Sequence, residues 1–407
     1  MAEDRGWLWS LAYFPNGVAS GIIGTLIPLY LVQVLGASLV DLGLMAFAAS
    51  ALLIPASVLL GSLPDRFHAS KPFILVSFLG VSAALFLMAG VTSVLVFQAL
   101  YVAMALVDYI RGPSTSVLVA ETYERKRRGS VLAGQGFSES AGGVIGLAVC
   151  VATVDTLGYR ALLTLSAPLV FASFLLSLLA IREQPLYIER NMDRVDHVID
   201  EMDEFTYHLR GDGTYSPDPR GAWRLSRGSN MVLFGAARAV FAFAASNALT
   251  CISIFLLRGV GLASPLVFAV FLARGIAGTA SYLVAGRLTG GDGSRAIKAG
   301  TLMRAVTVGL LPAVLFVPFP VNMVAAAALL SVIALGWSVY SVGVGAATVI
   351  YAAPGTLGVY DALASIGGAL GSYSGGFIPT LLGFEALFVL SAVFFAVALV
   401  LFYLSLR

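Results

Sequence analysis

The side chains in this sequence that could do chemistry are ionisable residues placed inside long apolar segments. Asp108 and Arg111 are three positions apart, which puts them on one face of a helix, and Glu139 lies in the next apolar segment. Four more such residues follow later in the chain: Arg238, Arg274, Arg304 and Asp361. Desolvation favours the neutral form of a buried acid, which lets it carry a proton, and a buried arginine can bind an anion. These residue types therefore point to proton exchange and anion binding.

Sequence patterns typical of enzymes are missing. The chain has no Walker A pattern, no His-Glu-x-x-His or Cys-x-x-Cys pattern, and no Gly-x-Ser-x-Gly nucleophile elbow. Its two cysteines, Cys150 and Cys251, each stand inside an apolar run, which excludes a disulfide scaffold. We expect no enzymatic activity, no metal site and no cofactor.

The composition requires lipid as the main solvent of the chain. Of 407 residues, 59% are hydrophobic and 11% are charged, and the mean hydropathy is +0.92. Soluble domains are about half apolar and about a quarter charged, and a soluble core of this size could not bury the excess. The net charge of +2, without a basic block, argues against a nucleic-acid partner.

Twelve apolar runs are long enough to cross a bilayer. A hydrocarbon core about 30 Å thick needs about 20 helical residues. The predicted spans, numbered one to twelve in chain order, are 9–34, 38–61, 72–91, 94–120, 129–154, 161–181, 231–257, 264–288, 296–317, 321–352, 356–382 and 386–406. The runs do not alternate apolar and polar residues, so we predict an all-α polytopic membrane protein with twelve transmembrane helices.

Basic residues are distributed unevenly between the two sides of the membrane. With the amino terminus in the cytoplasm, the cytoplasmic loops and tails hold 18 of the 24 lysines and arginines, and the opposite side holds Arg160 and Arg258. The positive-inside rule therefore predicts that both termini are cytoplasmic, in a multi-pass protein of the cell membrane.

The chain reads as a tandem duplication with a shift of 225 positions. The shift places Gly36 on Gly261, Leu157-Gly158 on Leu382-Gly383, and Gly142, Gly143 and Gly146 on Gly367, Gly368 and Gly371. We expect two pseudo-symmetric six-helix bundles, residues 1–181 and 229–407. The cytoplasmic segment 182–228 between them is predicted to contain one amphipathic helix. A linker helix lying against the spans is the favoured interpretation of that segment, and a regulatory or partner-binding role is the alternative.

The loop after the second span resembles the signature of the major facilitator superfamily (MFS). Gly61, Leu63, Asp65 and Arg66 stand at the signature's spacing and location. Together with twelve spans, the repeat and the polar central loop, the resemblance covers the whole chain. It implies the MFS fold, with spans one, four, seven and ten lining a central cavity and two, five, eight and eleven beside them. It also implies that Gly61, Asp65 and Arg66 act in conformational change, with Asp65 facing the start of span eleven.

The seven membrane charges would together cost about 20 kcal/mol if they faced lipid, so most must face one another or water. We expect Glu139 or Asp108 to carry the coupling proton. The alternative for Asp108 is a structural salt bridge with Arg111, and the alternative for Glu139 is burial with an arginine partner. Candidate substrate-binding residues are Arg111, Arg238, Arg274, Asn247 and Gln135, although polar packing is an equal alternative for the amides. Asp361 is expected near a helix N-terminus in a conformational role, and Arg304 is expected to be structural.

These features predict a secondary active transporter that works by alternating access. The expected partners are a small organic solute, a coupling proton and the lipid bilayer. The excess of arginines among the membrane charges favours an anionic or amphiphilic solute. The protein is expected to be a monomer. Two alternatives remain open. One is a multidrug efflux antiporter, although the arginine motif expected near Tyr101 is absent. The other is a non-transporting sensor or scaffold with the same fold.

Overall fold

A computed structural model of the chain describes residues 8–61, 70–123, 125–181, 231–288, 293–351 and 357–406. Within these ranges the secondary structure is helical. The first half consists of Leu8–Leu11, Phe14–Gln33, Leu39–Gly61, Lys71–Gly90, Val94–Tyr109, Arg111–Thr122 and Arg125–Ala180. The second half consists of Met231–Leu249, Ile252–Ile254, a π-turn at Phe255–Gly259, Ser264–Leu288, Ser294–Leu310, a 3₁₀ turn at Leu311–Phe316, Val321–Tyr351 and Leu357–Ser405.

Ten of the described helical segments are long and apolar enough to cross a membrane. Two of these, Val131–Ala180 and Tyr360–Ser405, are each long enough for two crossings. Their helices are interrupted by non-helical backbone at Gly158 and at Gly383. The prediction of twelve spans in an all-α membrane protein is therefore confirmed.

The fourth span is broken where the sequence makes a continuous helix unfavourable. One helix ends at Tyr109 and the next begins at Arg111. Pro113 has no backbone N–H, and its ring would clash with the carbonyl of Tyr109 four positions earlier. The break places Arg111 in the first turn of the new helix, and Asp108 in the last turn of the old one.

The 225-residue repeat is also present in the backbone. Gly36 and Gly261 have φ values of 69° and 77°, and Gly158 and Gly383 have values of 75° and 83°. These left-handed conformations suit glycine, which has no Cβ. The same tight turn therefore follows the first and the fifth span of each half.

Glycines also set the helix contacts inside each half in the same register. A Cβ on Gly142 would overlap the carbonyl oxygen of Phe14, and one on Gly367 would overlap that of Ala239. Both glycines and both carbonyls are 225 positions apart, so each half packs its fifth span against its first in the same way. The division into bundles 1–181 and 229–407 stays a prediction, because the segment 182–230 lies outside the described residues.

The halves contact each other through spans two and eleven and through spans five and eight. Gly43 and Gly376 bring spans two and eleven so close that a Cβ on either would meet the other's backbone. Ser140 and Thr279 share a hydrogen bond of 2.6 Å between spans five and eight, and Tyr159 and Ser264 share one of 2.5 Å near the turns. These contacts join the halves from the middle of the membrane to the ends that lie opposite the amino terminus.

Candidate solute and proton site

Arg111 is the centre of the charged cluster in the first half. Its Nη1 donates a hydrogen bond of 2.8 Å to Oε1 of Glu139, and its Nη2 lies 3.1 Å from Oδ1 of Asp108. The arginine side chain is 13% exposed, compared with 26% for Glu139 and 42% for Asp108. One buried cation thus neutralises one of two partly exposed acids, and the cluster keeps one excess negative charge.

Glu139 accepts hydrogen bonds from three side chains. Besides Arg111, Asn16 donates to Oε1 at 2.9 Å and Gln135 donates to Oε2 at 3.0 Å. Of the two interpretations that the sequence leaves open, a lone acid or an acid buried with an arginine, the structure has the paired arrangement. It also places Gln135, a substrate candidate, one helical turn from Glu139 and in direct contact with it.

Two aromatic rings also contact the Arg111 guanidinium. The centroids of the Tyr13 and Phe78 rings lie 5.7 Å and 5.4 Å from Cζ of Arg111. The Tyr13 hydroxyl is held by a hydrogen bond of 2.6 Å with Thr115. Cation–π contacts stabilise a desolvated guanidinium and restrict its position. Arg111 is therefore fixed in place, and its two acids provide the cluster's accessible surface.

Two adjoining cavities reach this cluster. The smaller, about 160 Å³, is lined by Asn16, Ile23, Tyr101, Met104 and Asp108 among others. The larger, about 410 Å³, is lined by Glu139, Ser140, Leu147 and Gly275 among others. Ser20 lines both, and Gly275 belongs to span eight in the second half. Each acid of the cluster thus lines a cavity, and the larger cavity lies where the two halves meet.

Arg238 and Asp361 form an ion pair in the second half. Nη2 of Arg238 lies 2.6 Å from Oδ1 of Asp361, and the Asp361 side chain is 71% exposed. Asp361 lies four residues after the start of the helix Leu357–Ser405, and its pairing with Arg238 was missed by sequence reasoning because the two residues are 123 positions apart. Arg238 thus already has an anionic partner.

Asn247 is buried with both polar ends of its amide bonded. Its Nδ2 donates to Ser391 at 2.7 Å, and its Oδ1 accepts from Ser374 at 2.7 Å. A solute would have to break these bonds to reach the side chain. The structure therefore places this substrate candidate in the packing of the second half.

Arg274 and Arg304 have no carboxylate within ion-pair distance among the described residues. Arg274 lies over the ring of Phe271, with 5.6 Å from Cζ to the ring centroid. Arg304 is 3% exposed and lies among aromatic rings. Of the remaining candidates, Gly61 ends the second span, whereas Asp65 and Arg66 lie outside the described residues.

The chain resembles known transporters in sequence profile and in fold. The profile of the Major Facilitator Superfamily matches residues 9–356. No curated protein sequence matches significantly. Two structures of the nucleoside transporter NupG, one of them a point mutant, superpose with TM-scores of 0.76 for the mutant and 0.70 for the other. Their identities are 12% and 13%, and coverage is 99% or more of both chains.

A third solved structure has a similar overall fold. The xylose transporter XylE from E. coli, in a partially occluded inward open conformation, gives a TM-score of 0.67 at 14% identity over 98% of each chain. At these identities the three structures show the fold alone. The sequence profile spans most of the residues, and we conclude that this chain is a multi-pass membrane transporter belonging to the Major Facilitator Superfamily.

Proposed function

We propose that the protein is a proton-coupled secondary active transporter of a small organic solute. The observation that carries the proposal is the position of Glu139 and Asp108. Both acids bind the same arginine, and each lines a cavity at the inner surface of the first half. Protonation of one acid leaves the other to neutralise Arg111, so a proton can be taken up without leaving an unpaired buried cation.

Alternating access gives this cluster a role in coupling. The halves of such transporters rock about a central site, and a group there can be exposed first to one side and then to the other. Proton binding would change the formal charge of the cluster of Arg111, Asp108 and Glu139 from minus one to zero. Because a charge moving across 100 mV gains about 2.3 kcal/mol, one proton per cycle is enough to drive accumulation.

Arg274 and Arg304, which have no carboxylate partner among the described residues, support an anionic or amphiphilic solute. Arg274 precedes the cavity-lining Gly275 in the chain, and the described residues offer it no carboxylate. A solute with an acidic group could therefore be bound between the Arg111 cluster, which has an excess negative charge, and Arg274, which has no carboxylate partner among the described residues. We further propose that the protein is a monomer in the cell membrane and that both of its termini are cytoplasmic. A reporter fused to the carboxyl terminus of the chain would test this orientation.

The Glu139→Gln variant tests proton coupling. Proteoliposomes containing a pH-sensitive dye are exposed to a panel that includes nucleosides, a pentose and organic acids, and solute-induced proton flux is recorded. We expect the wild type to respond to at least one solute. Glu139→Gln keeps the side-chain shape but holds no titratable proton, so it should lose proton flux and keep exchange of labelled solute.

The exposed acid Glu385 provides a matched control, since it lies beyond the cavity in the turn before span twelve. Glu385→Gln should keep the flux of the wild type. Undiminished proton flux in Glu139→Gln, with Asp108→Asn also active, would contradict the assignment of the proton site. Binding without any solute flux in the wild type would instead favour the sensor alternative.

A further inference from the structure

Arg304 is an arginine deep inside the second half whose charge is not balanced by the described residues. It is ten residues into the helix Ser294–Leu310, so it lies about 15 Å from that helix's start. Its side chain is 3% exposed. Among the described residues its hydrogen-bond acceptor is the carbonyl of Ile333, at 3.4 Å from Nε. A guanidinium has five N–H donors, so most of its hydrogen-bonding capacity is unused.

Aromatic rings from three other spans surround this guanidinium. Its Cζ lies 5.5 Å from the ring centroid of Phe241, 5.0 Å from that of Trp337 and 5.9 Å from that of Phe395. Rings stabilise a cation through their faces, yet they accept none of its in-plane hydrogen bonds. The three rings therefore hold the Arg304 guanidinium in place, and its N–H groups remain available to donate hydrogen bonds to another group.

Glycines make room for the arginine between spans nine and ten. A Cβ on Gly336 would lie 3.2 Å from Cγ of Arg304, and a Cβ on Gly300 would lie 2.6 Å from the carbonyl oxygen of Gly336. The two backbones thus cross closely, which lets a long side chain reach across span ten. Arg304 points into the bundle, and the charge is separated from lipid by helices.

Trp337 covers the guanidinium on the inner side of the bundle. Its indole stacks on Phe241 of span seven, with centroids 6.4 Å apart, and remains 43% exposed. The next residue, Ser338, bonds Ser281 of span eight at 2.6 Å, so this side of span ten faces spans seven and eight. In this fold those spans border the cavity.

Arg274 adds a second positive charge to the same region. It lies on span eight, and among the described residues neither Arg274 nor Arg304 has a carboxylate as an ion-pair partner. An anion bound at Arg304 would supply the charge that the described residues do not.

Resting on the proposed transport function, we propose that Arg304 binds the carboxylate, sulfonate or phosphate group of the solute, behind the Trp337 indole. Planar donors in a fork suit such groups, because two parallel N–H···O bonds can form at once. The partly exposed Trp337 indole would stack on an apolar body attached to the anion. The excess negative charge of the Arg111 cluster would then repel the anion until the coupling proton binds.

Anion binding can be measured without knowing the solute. The full-length protein in detergent is heated while sodium chloride is replaced by sodium phosphate or sodium benzoate at constant ionic strength. We expect benzoate to raise the melting temperature saturably, and Arg304→Met to weaken the apparent affinity at least about tenfold, since a charged hydrogen-bond donor is lost. Arg295→Met, an exposed arginine on the same helix, is the matched control and should respond as the wild type does.

A second measurement follows the indole. Benzoate binding should change the tryptophan fluorescence of the wild type, and this change should be missing in Trp337→Phe. An equal benzoate response in Arg304→Met and wild type would overturn the proposal, as would the absence of a saturable response to benzoate in the wild type. Because this assay reports binding alone, its failure leaves the proton-flux result for Glu139 standing, and the two proposals can fail separately.

Discussion

The two halves of the transporter each hold a guanidinium against aromatic rings, but among the described residues only the first half balances its charge. Arg111 is bonded by Asp108 and Glu139 and lies over Tyr13 and Phe78. The position 225 residues after Arg111 is occupied by Gly336, and the space beside this glycine is filled by Arg304. Corresponding places in the fold thus hold arginines from different spans, the fourth in one half and the ninth in the other.

This difference separates what duplication preserved from what diverged. Turn glycines and contact glycines match across the repeat, because backbone conformation and close helix crossings tolerate no side chain there. The charges do not match: Glu139 corresponds to Ala364, and Arg304 to Leu79. The two halves therefore share an architecture but place different charges inside it.

The largest expected effect comes from removing the shared partner in the first half. Arg111→Met leaves two acids close together without a cation, whereas Arg304→Met removes an unbalanced charge. Breaking a buried ion pair costs about 3–5 kcal/mol, and the partial exposure of the acids favours the lower end. We expect Arg111→Met to lower the melting temperature and stop proton flux, and Arg304→Met to keep or raise the melting temperature.

A double variant sharpens this prediction. Arg111→Met combined with Glu139→Gln should recover part of the lost stability, because the like charges no longer face each other. Arg111→Met with unchanged stability, or Arg304→Met with a comparable loss, would mean that the charge balance of the halves does not differ as described.

An intermediate effect is expected at the matched glycines. Gly142→Val and Gly367→Val each push a side chain into a carbonyl of the first span of their half. Overpacking of this kind costs about 1–3 kcal/mol, and the two variants should lower the melting temperature by similar amounts. Gly134→Ala, where a Cβ meets nothing within 4 Å, is the control. Strongly unequal decreases in melting temperature for the two variants would contradict the structural equivalence of the halves.

The smallest effect is expected at the exposed ion pair of the second half. Asp361→Asn removes the partner of Arg238, but the carboxylate is 71% exposed. Exposed pairs contribute about 0.2–1 kcal/mol, so the melting temperature should change little, far less than after Arg111→Met. A loss as large as that of Arg111→Met would show that Arg238 depends on Asp361 as Glu139 depends on Arg111.

Much of the architecture could be predicted from local sequence. Apolar run lengths locate the spans because a bilayer core requires a fixed helix length. The break at Ile110 follows from Pro113, and the turns at Gly158 and Gly383 are matched by the repeat. Predicted ends near Val317 and Leu257 were less regular in the structure, where the helices finish in a 3₁₀ turn and a π-turn.

The site was predicted as a set of residue types but not as a set of partners. Glu139 is separated by 28 positions from Arg111 and by 123 from Asn16, and no period in the sequence connects them. Tyr13 and Thr115 were missed as supports of the cluster because a tyrosine in a span is most often a packing residue. Arg304 was predicted to be structural, since span nine lies outside the cavity.

The sequence by itself determined that the chain crosses lipid repeatedly, that its halves are alike, and that charges are buried among its spans. These properties depend on run length, composition and register, all of which are local or periodic. Only the tertiary structure decided which charges neutralise one another, because pairing depends on distances between helices far apart in the chain. It showed that Arg111 is paired with two acids, whereas Arg304 has no carboxylate partner among the described residues.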